Sequence, residues 1–469
     1  MASTDRPIRL ADLDPAMLER YDLTGPRYTS YPTAPEWDAS VGPAETRAHL
    51  ADQPRDPTRP LSLYVHVPFC HERCTFCACN VIVSRSPGRV SEPYLDLLER
   101  ELDLLAGLVD TRRPVVQLHL GGGTPTYLTA GQLRRLHRAV AGRFRLAPAA
   151  EQSIEIHVTW TSEEQIVALA DLGFNRLSFG IQDFNPVTMA AIGRRQSYDH
   201  SRLLVETARA AGFTGLNLDL IYGLPHQSAE SFAPTLERTL ELGPDRLALY
   251  NFAYLPARMP HQRRIDPASL PSGPEKLRTF LTAHDRLTAA GFRFIGMDHF
   301  ARPGDELARA FAEATMQRNF MGFTTRAGAD LLGLGVSSIS NVDGMYAQNE
   351  KKLSRWRAGL EAGRLPTARG RRLTAEDRLR RDVISALMCR DRLEKRSIEA
   401  AHGIRFDEHF AAELARLEPL AADGLLRLGP DALELTFLGR LFVRNIAMVF
   451  DAYLARRRGD DRPMFSKTL

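Results

Sequence analysis

Four of the chain's five cysteines fall within ten residues: Cys70, Cys74, Cys77 and Cys79, in CHERCTFCAC (70–79). Thiolates bind soft metals, and their spacing narrows which metal chemistry they serve. Structural zinc sites usually combine two separated cysteine pairs. Here the gaps run three, two and one within one loop, with no second pair downstream. Four thiolates can close an iron–sulfur site, but Cys77 and Cys79 stand too near each other to reach separate irons easily. The simpler geometry puts three thiolates on three corners of a [4Fe–4S] cube and leaves one iron open for a substrate or cofactor. Zinc remains an alternative on spacing alone. His71, next to Cys70, is expected to point elsewhere. Disulfides are disfavoured, because the N-terminus MASTDRPIRLADLDPAML has no apolar stretch behind a basic start. No run of about 18 apolar residues suggests a membrane span. The chain therefore reads as cytoplasmic, where thiols stay reduced. Cys389 sits on the apolar face of an expected helix and reads as a core residue.

Such a loop needs a scaffold. The chain has 469 residues, 44% of them hydrophobic and 25% charged, which is ordinary for a globular protein of one large domain with additions or of two to three domains. With 61 basic and 57 acidic residues, its charge is too balanced to imply a nucleic-acid partner. Short β-rich apolar runs recur at 61–67, 115–120, 153–158, 175–181, 216–223 and 246–252. Helical patterns lie between them. Leucines at helical spacing mark 91–108, with Ser91 as the expected N-cap, and 229–243 ends in a C-cap glycine. Strands alternating with helices predict an α/β fold with a parallel sheet, and six units suggest a full or partial barrel. Sites in such folds lie at the C-terminal strand ends. The cysteines follow the first strand there, GGGTPT (121–126) follows the second, and Glu155, Gln182, Asp183 and Asp219 occupy the next three. LLGLGVSSIS (331–340) reads as a buried, glycine-bearing loop or strand. Beyond about residue 370 helical patterns dominate. The stretch 418–446 reads as helix, short hairpin, helix, a winged-helix-like arrangement without a basic recognition helix. The tail ARRRGDDR (455–462), basic then acidic, reads as a solvated helix end.

C-x3-C-x2-C with Phe76 just before the third cysteine resembles the signature of radical S-adenosylmethionine enzymes. Together with RYTSYPTAPEW, LYVHVPFCHERCTFCACN, HLGGGTPTYL, GFNRLSFGIQDFN, LDLIYGLPHQ, GMDHFARPGDELA and LLGLGVSSIS, it resembles the oxygen-independent coproporphyrinogen III oxidases from about residue 20 onward. The resemblance implies a partial (β/α)6 TIM-like barrel of the radical SAM type at 46–345. An N-terminal extension at 1–45 would close over the site, and a mostly α-helical C-terminal domain with a winged-helix-like part would occupy 346–469. It implies that Cys70, Cys74 and Cys77 ligate a [4Fe–4S] cluster and that Cys79 does not. Reductive cleavage of S-adenosylmethionine at the open iron would release a 5′-deoxyadenosyl radical. The radical would take a β-hydrogen from each of two propionates of coproporphyrinogen III, leaving vinyl groups and giving protoporphyrinogen IX.

Carried over residue by residue, the resemblance places Tyr64 beside the cluster in a catalytic and cofactor-contacting position. It places Phe76, Gly122, Gly123, Thr124, Glu155, Gln182, Arg194, Asp219 and Ala253 around one S-adenosylmethionine, and Phe320 and Ile339 against a suspected second. A substrate with four carboxylates calls for arginines, and Arg27 and Arg318 are the candidates. A reductant such as flavodoxin or ferredoxin and a monomeric state are also implied. Two departures stand out. The family's Glu-Val-Asp-Pro-Arg at the end of the third strand is replaced by His157-Val158-Thr159-Trp160 following Glu155-Ile156. A family glutamine is replaced by Met321. These leave open an enzyme on the same scaffold with another substrate, such as a methyltransferase or cyclopropane-forming enzyme. A haem-trafficking protein is a further alternative, although those relatives lack the Cys79 position and RYTSYP.

Overall fold

The computed structural model describes residues 14–54, 56–456 and 465–468. Twelve strands form one continuous sheet, numbered here in chain order. Six are the parallel barrel strands: β1 (Leu61–Val67), β2 (Pro114–Gly122), β3 (Arg145–Ile156), β4 (Arg176–Gln182), β5 (Gly215–Tyr222) and β6 (Arg246–Asn251). The others are β7 (Arg293–Gly296), β8 (His299–Ala301), β9 (Asp330–Leu334), β10 (Ile339–Val342), β11 (Met345–Asn349) and β12 (Thr367–Arg372). Their order is β12-β11-β10-β9-β1-β2-β3-β4-β5-β6-β8-β7. The barrel is thus open. One edge continues through the parallel strand β9 into an antiparallel meander, and the other is closed off by antiparallel β8 and β7.

Alternation along the strands builds the barrel. Leu61, Leu63, Val65 and Val67 are fully or almost fully buried under the surrounding helices. The intervening Ser62, Tyr64 and His66 pair in register with Gln117, His119 and Gly121 of β2, and the interior they share is polar. Successive side chains on a strand point to opposite faces, so apolar residues cover the outside while every second residue carries a polar group inward. Helices Pro87–Ala106, Ala130–Ala141, Glu163–Asp171, Tyr198–Ala210, Ala229–Glu241 and Gly273–Ala289 supply the outer layer. Capping boxes start the helices at Thr129, Ser162 and Ser228.

Two local expectations are corrected. Ser91 is not an N-cap. It is buried inside a helix that begins four residues earlier, at Pro87, whose fixed φ suits the first turn. The third strand ends at Ile156, so Val158 lies in a 3-10 turn, Val158–Trp160, rather than in the strand. Gly243 does follow its helix in a left-handed conformation, φ +62°.

A second core lies outside the barrel. Met17, Leu18, Tyr21, Tyr28 and Tyr31 from the N-terminal segment pack with Leu379, Val383, Phe406, Phe410, Phe442 and Phe450 from the C-terminal helices. The Tyr28 hydroxyl donates to Asp451 (3.0 Å), and Arg444 donates to the carbonyls of Gly25 and Pro26. The N-terminal strap is therefore bound to the C-terminal region rather than only laid on the barrel. That region contains the expected hairpin, Leu426–Leu428 with Ala432–Leu435, joined by Arg392–Glu394 into a small antiparallel sheet. Cys389 is buried there, as expected. The tail expected as a solvated helix end falls mostly outside the described residues. Among these residues no helix is long and apolar enough to cross a membrane.

Candidate active site

The inward residues of the barrel form a hydrogen-bonded stack that ends beneath the cysteine loop. Ser62 donates to Gln117 (2.8 Å), and Gln117 donates to Glu151 (2.8 Å). One layer higher, Tyr64 stacks on His119 with ring centroids 5.8 Å apart, and His119 bonds Ser153 at 2.7 Å. The Tyr64 hydroxyl meets His66 Nδ1 at 3.0 Å, and His66 Nε2 lies 3.1 Å from the Asn80 carbonyl just beyond the last cysteine. Asp219 accepts from Ser178 (2.9 Å) and Asn217 (2.8 Å). Burial, reinforced by the nearby Glu155 charge, pushes its carboxyl up to about 6.

The triple glycine is dictated by crowding at the end of β2. A Cβ on Gly121 would meet His119, Tyr64 and Glu155 at 3.0–3.1 Å; one on Gly123 would lie 2.7 Å from the Pro68 carbonyl oxygen. Gly122 adopts φ +120°, and a Cβ there would lie 2.7 Å from the His66 ring. Only glycine combines that dihedral with that approach. In return Gly122 N–H donates to Glu155 Oε2 (3.0 Å), which fixes that half-exposed carboxylate at the mouth of the barrel.

Cys70, Cys74 and Cys77 are half-buried, and the thiols of Cys70 and Cys74 both feel the charge of Cys77. Thr124 Oγ1 lies 3.3 Å from Cys70 Sγ, and Arg194 Nη1 lies 3.9 Å from Cys74 Sγ. Arg194 is itself held by the Gly180 carbonyl and by Gln196 (3.0 Å), while its buried Nε has no partner among the described residues. Burial pushes the Cys70 thiol up to about 11. Cys77 is held below its ordinary value chiefly by a hydrogen bond from Cys79, which is pushed up in turn. His261 Nε2 meets the Cys77 carbonyl at 2.7 Å, and the buried Gln262 bonds the carbonyls of Phe76 (3.4 Å) and Ala253 (3.0 Å). These two residues after β6 shape the loop, and sequence reading had missed them. Phe76 packs onto the apolar group of Met189, Ile192, Ile221, Leu224 and Phe252.

Gln182, buried at the end of β4, adopts φ +67°, uncommon for a residue with a side chain. Such a dihedral is a mark of functional positions. Asp183 beside it has a different role: it accepts from Thr235, Gln227 and the N–H groups of Phe184 and Asn185, so it is a fully satisfied structural hub. The departing loop also finds its place. His71 does point away from the thiols, and its ring lies 4.4 Å from Trp160 and 4.7 Å from Tyr127, centroid to centroid. Trp160, 40% exposed, thus caps the cysteine segment from outside. His157 is half-buried, with its Nδ1 buried and unpartnered among the described residues, and is kept neutral by burial and by Arg194. Phe320 and Ile339 meet in a separate apolar group with Trp37 and Tyr346; the Trp37 and Phe320 rings are 5.4 Å apart. The structure therefore brings together the cysteines and Tyr64, Gly122, Gly123, Thr124, Glu155, Arg194 and Asp219, and sets Phe320 and Ile339 on a second wall.

Comparison with known proteins fits this geometry. The radical SAM superfamily matches residues 64–239, and the HemN C-terminal domain matches 373–442. The oxygen-independent coproporphyrinogen III oxidase of Salmonella typhimurium is 47% identical over 446 residues, covering 95% of this chain and 96% of its own. The chain belongs to the oxygen-independent coproporphyrinogen III oxidases. Within that family, the enzyme of Pseudomonas aeruginosa is 44% identical over 94% of this chain and 96% of its own. The solved structure of coproporphyrinogen III oxidase (HemN) from Escherichia coli, a radical SAM enzyme, superposes with a TM-score of 0.88 at 45% identity. It covers 94% of this chain and 99% of its own. Membership in this oxidase family brings a [4Fe–4S] cluster and S-adenosylmethionine, and the residues present fit both. Among the described residues no three ligand side chains converge tightly enough for a single ion, whereas a cube spreads its thiolates over separate irons. The glycine cradle and the carboxylates of Glu155 and Asp219 suit a ligand carrying an ammonium group.

Proposed function

We propose that this chain converts two propionate side chains of coproporphyrinogen III to vinyl groups, giving protoporphyrinogen IX, in haem biosynthesis. For each propionate a C–H bond β to the carboxylate is broken, CO2 departs, and one electron leaves to an acceptor. Reductive cleavage of S-adenosylmethionine at the [4Fe–4S] cluster supplies the hydrogen-abstracting radical. The chain's own residues bind, orient and shield. Cys70, Cys74 and Cys77 hold the cluster, with Arg194 offsetting thiolate charge at Cys74. Tyr64, fixed between His66 and His119, walls the reaction face. Gly122, Gly123 and Thr124 let the backbone approach the cofactor, while Glu155, Gln182, Asp219 and the Ala253 segment surround its polar groups. Phe76 closes the apolar side. Phe320 and Ile339 form a wall for a second S-adenosylmethionine, where Met321 offers no side-chain hydrogen bond.

The observation that carries this reading is three half-buried thiols over a polar barrel interior whose triple glycine cannot bear a Cβ, in a chain matching the oxidases over nearly its full length. No feature of the site favours methyl transfer or haem carriage over it. We further infer a cytoplasmic monomer, closed by its N-terminal strap and reduced by a flavodoxin- or ferredoxin-like donor. Anaerobic turnover with reconstituted cluster, dithionite, S-adenosylmethionine and coproporphyrinogen III tests the proposal. CO2 and protoporphyrinogen IX are the expected products. Cofactor cleavage without either product would overturn it.

A further inference from the structure

Beneath the strap lies a partly buried group of charges that the cofactor site does not use. Arg27, Arg318 and Arg444 come together there with one carboxylate, Asp298. Arg27 pairs with Asp298 and stands over the Tyr250 ring, 5.8 Å from its centroid. Arg318 donates Nε to the Arg27 carbonyl (3.3 Å) and stands 4.7 Å from the centroid of Phe323. The ring of His299 meets the same Phe323 edge-on, 5.2 Å between centroids. Arg318 Nη1 and His299 Nδ1 are both buried without a hydrogen-bond partner among the described residues. Arg444 differs, because the carbonyls of Gly25, Pro26, Ser466 and Lys467 occupy its donors. It anchors the strap and contributes charge without a free donor. On the Arg27–Asp298 side of the group, and not bordered by Arg318 or His299, a cavity of about 50 Å³ is lined by Arg27, Tyr222, Asn251, Asp298 and Arg444, several times the space one water needs.

Three guanidinium groups against one carboxylate is an unbalanced charge, buried at Arg444 and Asp298 and partly exposed at Arg27, and an anion would offset it. Burial first, then the other two arginines, lowers Arg27 to about 9. Tyr250 lies within electrostatic reach of Arg27 and Arg318 as well as of Asp219 and Glu155, so the group adjoins the cofactor carboxylates. We propose that Arg318 Nη1 and His299 Nδ1, backed by the Arg27–Asp298 pair, receive a carboxylate of the porphyrinogen substrate, from a propionate that does not react. The choice of propionate follows from transition-state reasoning. A carboxylate gripped by a guanidinium is stabilised before reaction and loses its charge as CO2 leaves, so gripping the reacting one would raise the barrier. The inference rests on the porphyrinogen reading above. S-adenosylmethionine also carries a carboxylate, so the test separates the two sources.

Equilibrium binding of coproporphyrinogen III under anaerobic conditions should weaken about 10- to 100-fold in Arg318→Gln, the loss of a charged hydrogen bond. Arg318→Lys should fall between, keeping the charge but losing the planar fork. The affinity and stoichiometry of S-adenosylmethionine should not change. The tetramethyl ester of the substrate should bind wild type poorly and lose little more in Arg318→Gln, because ester and variant remove the same contact. The inference is overturned if porphyrinogen affinity stays within twofold, if ester and variant losses add in full, or if S-adenosylmethionine binding falls instead. If Arg318→Gln does not fold, Arg318→Lys with the ester carries the same comparison. Wild type that neither binds nor converts coproporphyrinogen III refutes the porphyrinogen reading and this inference with it. Normal wild-type turnover with an indifferent variant removes only the receptor.

Discussion

Glu101 offers a quantitative test of how the cofactor walls are held. It lies in helix Pro87–Ala106, fully buried, and accepts from Gly335 N–H (2.8 Å) and Asn349 Nδ2 (2.6 Å). It thus ties that helix to the segment between β9 and β10 that leads to Ile339. Burial raises its carboxyl from 4.5 to about 7, outweighing those hydrogen bonds. Because the folded value lies above the unfolded one, the folded state favours the protonated form. Stability is fully present below pH 4.5 and is lost as pH rises through 7. The full shift corresponds to about 3 kcal/mol, and about 2 kcal/mol of it falls between pH 5.5 and pH 8. Denaturant unfolding of the metal-free protein at those two pH values, compared with Glu101→Gln, isolates this group from other titrations. The wild type should lose about 2 kcal/mol more than the variant over that interval. The variant's absolute stability is not the readout, since its amide meets two donors. Parallel pH profiles for wild type and Glu101→Gln, or a wild type that gains stability toward pH 8 relative to the variant, would refute the reasoning.

Other outcomes follow from the site. Cys74→Ser should abolish the cluster and cofactor cleavage, whereas Cys79→Ser should keep a [4Fe–4S] signal in electron paramagnetic resonance; loss of that signal would overturn the three-ligand assignment. Gly122→Ala forces a side chain into φ +120° and within 2.7 Å of the His66 ring, and should weaken S-adenosylmethionine binding at least about tenfold at a cost of about 1–3 kcal/mol. An unchanged dissociation constant would show that the cradle is not used. Trp160→Ala removes the tilted ring contact with His71, worth about 0.5–1.5 kcal/mol, and should speed iron loss to a chelator several-fold. Equal rates would mean that Trp160 does not shield the cluster. Restoring Asp-Pro-Arg-Glu at 157–160 should act in the same direction, because it too removes the indole.

Much of this protein is legible in its residues. Six βα units, the cysteine loop after the first strand and the glycines at the end of the second follow from local pattern, because strand alternation, helix periodicity and turn chemistry are short-range. Errors came where packing overrides pattern. Ser91 has the chemistry of a cap, but Pro87 starts the helix earlier. Val158 has a strand former's side chain, yet the chain turns at His157. The polar interior was visible only as isolated letters, such as the His of YVHV and LHL. Which barrel layer each joins depends on register between strands far apart in sequence.

By itself the sequence determined the fold class and the family, because these depend on residue type and short spacing. It left undecided what surrounds them. Tertiary structure alone satisfies Asp183 so that it becomes a support, and sets the Trp160 ring against His71. It also brings Arg27 and Arg444 to Arg318 and His299 from distant segments of the chain. A side chain's charge, hydrogen bonds and exposure are set by the neighbours that folding brings to it, and no local pattern specifies those.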